Sequence, residues 1–133
     1  MLFGQKEIRL KFIDQTILHS EEKNGNCTQA AVASLIGLDL NDVPDFANTT
    51  ESSIDFWSEF YAFFEGIGMH AIVIPKNMEP DCNYLASGIS PRGISHMVVM
   101  NDGNVVHDPH PSRAGIASVE AAWIIVPDNY FAK

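Results

Sequence analysis

Three side chains of types that cooperate in thiol chemistry stand far apart along the chain: Cys27, His96 and Asp108. Cys27 directly follows Asn26, a good N-cap residue, and is therefore predicted to occupy the first position of a helix. Unpaired backbone N–H groups and the helix dipole favour an anion there, which lowers the pKa of a thiol. Cys27 is the candidate nucleophile, whereas Cys82 lies in a polar stretch without a comparable feature.

A predicted β-hairpin brings the histidine and the aspartate together. Its turn, residues 101–103, suits a three-residue loop with glycine in the left-handed conformation at the third position. That register pairs Met100 with Asn104 and places His96 opposite Asp108 on one face, whereas a two-residue turn would place them on opposite faces. A carboxylate beside an imidazole fixes its tautomer and stabilises the imidazolium, as a thiol-activating base requires. The alternative is a His–Asp pair with a purely structural role.

The rest of the pattern predicts an α+β fold in a single domain spanning residues 1–133, with an N-terminal helix packed against a mainly antiparallel sheet. The helix that starts at Cys27 should end at Gly37. A second helix is predicted over Ser53–Glu65, and its aromatic residues make it apolar nearly all round, so it should be well buried. The predicted strands are Glu7–Ile13, Met69–Ile74, Tyr84–Ser90, Ser95–Met100, Asn104–Asp108 and Ala121–Val126.

The charge balance limits the classes of molecule that the protein is expected to bind. The chain has 8 Lys and Arg against 17 Asp and Glu, a formal net charge of −9, which argues against direct binding of nucleic acid or of an anionic membrane surface. No Lys or Arg occurs between Asn24 and Pro75, so part of the surface should be strongly negative and could favour a basic substrate. The chain lacks an apolar run long enough for a membrane span, a signal-peptide pattern and a disulfide framework, so a cytoplasmic location is expected.

No cofactor is expected, because the chain has neither of the common glycine-rich phosphate-binding motifs. No metal site is expected either: Cys27, His96, Asp108 and His110 are possible ligand types, but no metal-ligand spacing supports them. His110 lies on a proline-flanked loop and is a candidate for lining a pocket. Arg92 and Arg113 are candidates for folding back beside the cysteine to stabilise its thiolate.

The order of the three residues, with Cys at a helix start, His on a strand and Asp on the next strand, resembles the papain-like cysteine peptidase superfamily. It looks most similar to the small C39-like branch, in which an Asp-Pro, here Asp108-Pro109, follows the second of these strands. The chain also resembles a group of small proteins encoded by bacteria and tailed phages. The matching segments are Gln15-Thr16, Gly25-Asn26-Cys27, residues 33–38, Asp42-Val43-Pro44, residues 90–93 and residues 107–115.

The resemblance implies a thiol nucleophile at Cys27, a general base at His96 and an orienting carboxylate at Asp108. It also implies an oxyanion hole completed by an upstream glutamine, for which Gln15 is the match. The alternative donors are the backbone N–H of Cys27 and the side chains of Asn24, Asn26 and Gln29.

The expected activity is that of a cysteine hydrolase or acyl-transferase acting on an amide, peptide or isopeptide bond. The alternative is a catalytically idle binding protein of the same fold, an acidic phage-type protein that docks on a host factor in the bacterial cytoplasm.

Overall fold

The computed structural model describes residues 2–3, 6–7 and 9–128, and these form an α+β structure of helices and antiparallel strands. The helices are α1 (Cys27–Ile36), α2 (Phe46–Thr49) and α3 (Ser53–Gly66), with a 3-10 turn at Leu40–Asp42. The strands are β1 (Leu2–Phe3), β2 (Lys6–Glu7), β3 (Met69–Ile74), β4 (Tyr84–Ile89), β5 (Ser95–Asn101), β6 (Asn104–His107) and β7 (Ala121–Pro127). Within these residues, no helix is both long and apolar enough to cross a bilayer.

The main sheet has five antiparallel strands in the order β3-β7-β4-β5-β6, and β1 and β2 form a separate two-stranded ribbon. Helices α1 and α3 share one buried cluster with inward-facing strand residues such as Leu85 and Ile125, so both helices lie on the same face of the sheet, α1 over β5 and β4 and α3 over β3. A second cluster contains Ala86 and Val98, which alternate with residues of the first cluster along their strands, and Ile116 packs against it from the loop before β7. The expected packing of an N-terminal helix against a mainly antiparallel sheet is confirmed.

Helix α1 begins and ends where the sequence predicts. It starts at Cys27, and its alanine-rich run from residue 28 to residue 36 is buried throughout, since small side chains let the helix lie close to the sheet. Gly37 ends it in the left-handed conformation, with φ 73° and its N–H bonded to Ala33 O. A Cβ at Gly37 would lie 2.4 Å from the carbonyl oxygen of Arg9, so only glycine fits between the helix end and this segment.

Helix α3 is less buried than predicted. Ser52 caps it by accepting a hydrogen bond from Asp55 N at 3.1 Å. Of its residues only Phe60 and Phe64 are buried, because the helix packs on the β3 side of the sheet and leaves its remaining surface to solvent. Trp57 stacks on Trp123 of β7 at a centroid distance of 5.0 Å, so the aromatic residues join the helix to the sheet even where they are only partly buried.

The predicted strand at Glu7–Ile13 is wrong over the residues that can be compared. Glu7 belongs to β2, residue 8 lies outside the described residues, and residues 9–13 form no strand. Their backbone follows α1 instead: Lys11 N donates to Ser34 O at 2.9 Å and Ile13 N to Ser34 Oγ at 3.0 Å. Leu10 and Ile13 pack against the core while Phe12 is 68% exposed, so the alternation in the sequence does not correspond to one buried face.

The predicted register of the hairpin is also wrong. The turn has two residues, Asp102 and Gly103, both with positive φ, so Asn101 pairs with Asn104. A bulge between Val99 and Met100 then shifts the register again, so that Val99 pairs with His107. The shorter turn and the bulge each shift the pairing by one residue, so together they leave the side chains on the faces of the sheet that the sequence predicts. Beyond the end of β6, this register makes His96 and Asp108 diagonal neighbours rather than direct partners.

Candidate active site

Cys27 lies at the N-terminus of α1, half-buried, with a free thiol. Burial is the largest influence on this thiol and raises its pKa. The hydrogen bond and the charge of His96, together with hydrogen bonds from the Met97 backbone and the Thr28 side chain, outweigh burial and leave the pKa below its ordinary value of 9.0. Cys82 is exposed, and burial together with the charge of Asp81 raises its pKa. The two cysteines are therefore chemically distinct.

His96 connects the cysteine to the aspartate. Its Nε2 lies 2.5 Å from Asp108 Oδ1, and a second side-chain hydrogen bond joins the ring to Cys27. Because Nε2 faces the carboxylate, Nδ1 is the ring nitrogen left for the thiol. Burial lowers the pKa of His96, but the bonds and charges of Asp108 and Cys27 have the opposite effect and raise it to about 9. The imidazolium form is therefore favoured at neutral pH.

Asp108 is almost fully buried, at 3% exposure, and its hydrogen-bonding capacity is satisfied. In addition to the bond with His96, Oδ1 accepts the backbone N–H of His110 at 2.9 Å and Oδ2 accepts that of Gly115 at 2.7 Å. Burial raises the pKa of Asp108, but these three donors and the charge of His96 bring it down to about 2. The carboxylate is ionised across the physiological range and holds the imidazole in one orientation.

Arg113 supports the loop after β6 rather than the cysteine. It forms two hydrogen bonds with Asp14, at 2.6 and 2.8 Å, and donates to the carbonyl oxygen of Asp108 at 2.6 Å. Arg113 is not among the residues that line the cleft, so the structure does not bring it beside Cys27, where the sequence made it a candidate for stabilising the thiolate. The guanidinium of Arg113 therefore pairs with the carboxylate of Asp14, which is distant in sequence, and not with the thiolate of Cys27.

Two of the oxyanion-hole candidates are occupied by structural hydrogen bonds. Asn26 Oδ1 accepts Thr16 N at 3.0 Å and Ile17 N at 2.8 Å, and its Nδ2 donates to Thr16 Oγ1 and Gln29 Oε1. Gln29 Nε2 donates to the carbonyl oxygens of Leu40 and Val43. Asn26 is the N-cap residue, as predicted, but its side chain does not cap the helix, because the backbone N–H groups of residues 16 and 17 take up its oxygen. Neither amide has an N–H group left for a substrate.

The other two candidates, Gln15 and Asn24, line the cleft together with Cys27. Asn24 Nδ2 donates to Ala47 O at 3.2 Å. Gln15 Nε2 donates one proton to Ile17 O at 2.8 Å, which leaves its second N–H available. A Cβ on Gly25 would lie 3.0 Å from Gln15 Nε2. The absence of a side chain at this position therefore allows the amide of Gln15 to lie close to the backbone just before Cys27.

The reactive residues open into a cleft of about 860 Å³. It lies between the N-terminal ends of α1 and α3 and the edge of the sheet where β5 begins. Arg92 and His110 line it, as the sequence predicts, and Phe56 and Trp57 form an aromatic part of its wall. This volume can hold a short stretch of peptide beside the thiol.

A metal centre finds no support in the geometry. Among residues 9–128, no group of three or more His, Cys, Asp or Glu side chains is arranged to hold a metal ion. The donors of the site are instead used in pairs: the thiol with the imidazole and the imidazole with the carboxylate.

Comparison of this chain with known proteins adds no assignment: no family model, no curated protein and no solved structure matches it. The geometry of the site is therefore the basis for a functional conclusion.

Several contributors to the site were missed by sequence reasoning. Gly115, with φ 74°, presents its N–H to Asp108, and the backbone N–H of His110 does the same. A glycine shortly after an Asp-Pro pair is a usable signal, since glycine readily adopts the left-handed turn that lets a loop fold back. Phe56 and Trp57 belong to the aromatic run of α3, which the sequence predicts as buried, and no local signal distinguishes a cleft-lining aromatic residue from a core one.

Proposed function

We propose that the protein is a thiol hydrolase or acyl-transferase that acts on an amide, peptide or isopeptide bond. The observation that supports this most directly is the linked set of hydrogen bonds from Cys27 through His96 to Asp108 at the edge of an open cleft. A thiol with a lowered pKa, a base beside it and a third group that orients the base are the parts that nucleophilic catalysis requires.

In this proposal the thiolate of Cys27 attacks the carbonyl carbon of the substrate and forms a tetrahedral intermediate. Its collapse breaks the C–N bond, and the His96 imidazolium donates its proton to the departing amine. Water, or a second amine in a transfer reaction, then attacks the resulting thioester. His96 removes the proton of that nucleophile, and the thiolate is released.

The developing oxyanion is assigned to the backbone N–H of Cys27 and to the second N–H of the Gln15 amide. Gln15 is favoured over Asn26 and Gln29 because their amide protons are already donated to protein oxygens. It is favoured over Asn24 because Asn24 is exposed and bound to the α2 segment, whereas Gln15 is 9% exposed and held in place by Ile17.

The proposal includes membership of the papain-like superfamily in its C39-like form. Its support is the chain order of the parts: a cysteine at the start of α1, a histidine on β5 and an Asp-Pro directly after β6, on an antiparallel sheet. An α+β fold alone would not favour this assignment, because one fold class hosts many chemistries.

Alkylation by iodoacetamide at pH 6.5 tests the reactive thiol without a known substrate. A thiol of pKa 9.0 is about 0.3% ionised at this pH, and the pKa of Cys82 is higher still. A thiolate at Cys27 should therefore react at least about tenfold faster, after allowing for the weaker nucleophilicity of low-pKa thiolates. His96→Ala should remove this advantage. Equal labelling of the two cysteines in the wild-type protein would refute the proposal.

A binding protein with an idle site is the second candidate, and the distribution of exposed charge favours it. Within the stretch without Lys or Arg, exposed acids on and around α3 include Glu51, Asp55 and Glu59, beside Ile54 at 80% exposure. Such a face suits a basic partner protein. Cys27→Ala separates the candidates, because it should abolish an enzymatic function and leave binding intact. Glu59→Lys should weaken binding, and unchanged affinity for a purified partner would refute the docking role of this face.

A further inference from the structure

The end of the cleft beside His96 is lined by hydrogen-bond donors. His110 stands edge-on to His96 with ring centroids 6.1 Å apart, and Arg92 lines the cleft near it. Both side chains contact Ser112: Arg92 Nη1 donates to Ser112 Oγ at 3.0 Å, and that oxygen lies 2.8 Å from His110 Nδ1. One serine therefore holds the two cleft residues together.

These contacts decide which nitrogen of His110 carries the proton. The backbone N–H of Ser112 donates to Nδ1 at 3.0 Å, so Nδ1 is an acceptor and the ring proton is on Nε2. Burial, followed by the charges of Arg92 and His96, lowers the pKa of His110, which keeps the ring neutral at pH 7. His110 consequently offers one N–H donor, and its acceptor nitrogen is already used.

The charge of Arg92 has no counterpart in the described part of the chain. Within those residues no carboxylate lies at ion-pair distance from its guanidinium, although the chain carries 17 acidic residues. The nearby Asp108 carboxylate is buried and saturated by His96 and two backbone donors. One hydrogen bond to Ser112 leaves most of the five guanidinium N–H groups free. This end of the cleft therefore has free donors and an exposed positive charge that no carboxylate of the described residues pairs with.

We propose that Arg92 and His110 form a subsite for a carboxylate group of the substrate, next to the amide bond at Cys27. The inference rests on the proposed function, and it narrows the substrate class to peptides or isopeptides with a carboxylate close to the scissile bond. The carboxylate belongs to an acidic side chain or to a free C-terminus; both present the same planar pair of oxygens to a guanidinium.

The first test compares two alkylating agents of nearly equal size, iodoacetate with a carboxylate and iodoacetamide without one. Arg92→Gln should slow labelling of Cys27 by iodoacetate about fivefold and leave labelling by iodoacetamide within about twofold, since it removes one positive charge from the wall of the cleft that contains the thiol. Arg92→Lys should restore part of the iodoacetate rate. Lys76→Gln is the matched control: it also removes one positive charge, but it follows β3, the edge strand farthest from β6.

An unchanged ratio of the two rates in Arg92→Gln would overturn the subsite. An equal fall in Lys76→Gln would overturn it as well, because the effect would then reflect net charge. Failure of iodoacetamide to prefer Cys27 over Cys82 would refute the proposed function instead, so the two failures can be distinguished.

The second test measures binding and needs no reactive thiol. Three peptides are titrated by NMR into the full chain carrying Cys27→Ser: N-acetyl-Gly-Gly with a free C-terminus, N-acetyl-Gly-Asp-amide with an acidic side chain, and N-acetyl-Gly-Gly-amide with neither. At least one carboxylate peptide should bind about tenfold more tightly than the neutral one and lose this advantage in Arg92→Gln. Whichever binds more tightly identifies the source of the carboxylate. Equal binding of all three, or no binding, would overturn the subsite.

Discussion

Replacing Asp108 with asparagine should reverse the pH dependence that His96 gives to the stability of the fold. The thiol is first replaced by serine, Cys27→Ser, so that only the imidazole of the site titrates. In this background we expect the hydrogen bond and the charge of Asp108 to keep the pKa of His96 above its ordinary value of 6.5. A histidine with a raised folded-state pKa stabilises the fold fully below pH 6.5, and this contribution is lost as the pH rises through the folded-state pKa.

The magnitude follows from the pKa of about 9 that His96 has with both partners present. The difference from 6.5 corresponds to about 3 kcal/mol of preferential proton binding by the folded state. Without the thiolate the contribution is smaller, so the free energy of unfolding of Cys27→Ser should fall between pH 6 and pH 9 by less than about 3 kcal/mol. In the double variant with Asp108→Asn, burial of His96 dominates and lowers its pKa, so stability should rise with pH over the same interval.

Urea unfolding monitored by the fluorescence of Trp57 and Trp123, which are stacked in the fold, measures both curves. The two proteins differ only at residue 108, so the difference between the curves reports the effect of its carboxylate. Curves that run parallel from pH 6 to pH 9 would refute the charged His96–Asp108 pair, and with it the orienting role of Asp108.

Four further substitutions, one of them a control, test the surroundings of the site by urea unfolding. Gly25→Ala should cost about 1–2 kcal/mol, because its Cβ would press against Gln15 Nε2 at 3.0 Å; a neutral result would mean that Gln15 has room to move. Gly37→Ala should cost at least about 2 kcal/mol, because φ is 73° and the Cβ would overlap a carbonyl oxygen. Gly66→Ala is the control for both, with open space around the new Cβ and an expected gain of about 0.5 kcal/mol. Asn26→Ala should cost about 2–4 kcal/mol by leaving two backbone N–H groups without their acceptor, and a loss under 1 kcal/mol would indicate that water replaces the amide.

Local signals in the sequence were sufficient to predict α1 and the position of Cys27 at its start. An N-cap residue, an alanine-rich run and a terminal glycine act within about ten residues, and the helix begins at Cys27 as they indicate. The strands of the main sheet were predicted within one or two residues for the same reason, since alternation and flanking turns are local.

The hairpin shows where local reasoning fails. The turn prediction depended on the position of one glycine, and the left-handed Asp102 made a shorter turn possible. The bulge at Val99 and Met100 has no signature in the sequence, because it depends on how β6 must bend to carry Asp108 toward His96. The predicted proximity of this pair was correct although the predicted register was wrong.

The oxyanion candidates were separated only by long-range contacts. Asn26 and Gln29 look like a capping box in the sequence, and they are instead parts of a buried hydrogen-bonded network that reaches residues 16, 17, 40 and 43. Such a network cannot be predicted from spacing along one helix, because its partners come from segments on either side of it.

The placement of buried polar groups gives a reason to regard the site as more than a structural pair. Buried polar side chains each require a partner and add less stability than apolar ones of the same size, so a fold selected only for stability has little use for them. In the described residues, Asn26 and Thr28 flank Cys27 in the sequence, and His107 precedes Asp108. The buried polar residues are Gln15, Asn26, Thr28, Gln29, Ser34, Ser90, His96, His107 and Asp108. Asn26 holds the segment of Gln15, and His107 Nε2 binds Ile13 O at 2.7 Å, so these bonds fix the parts of the site relative to one another. The net charge of −9 would by itself disfavour a thiolate, and this local network, with the imidazolium at its centre, is what offsets that disadvantage at Cys27.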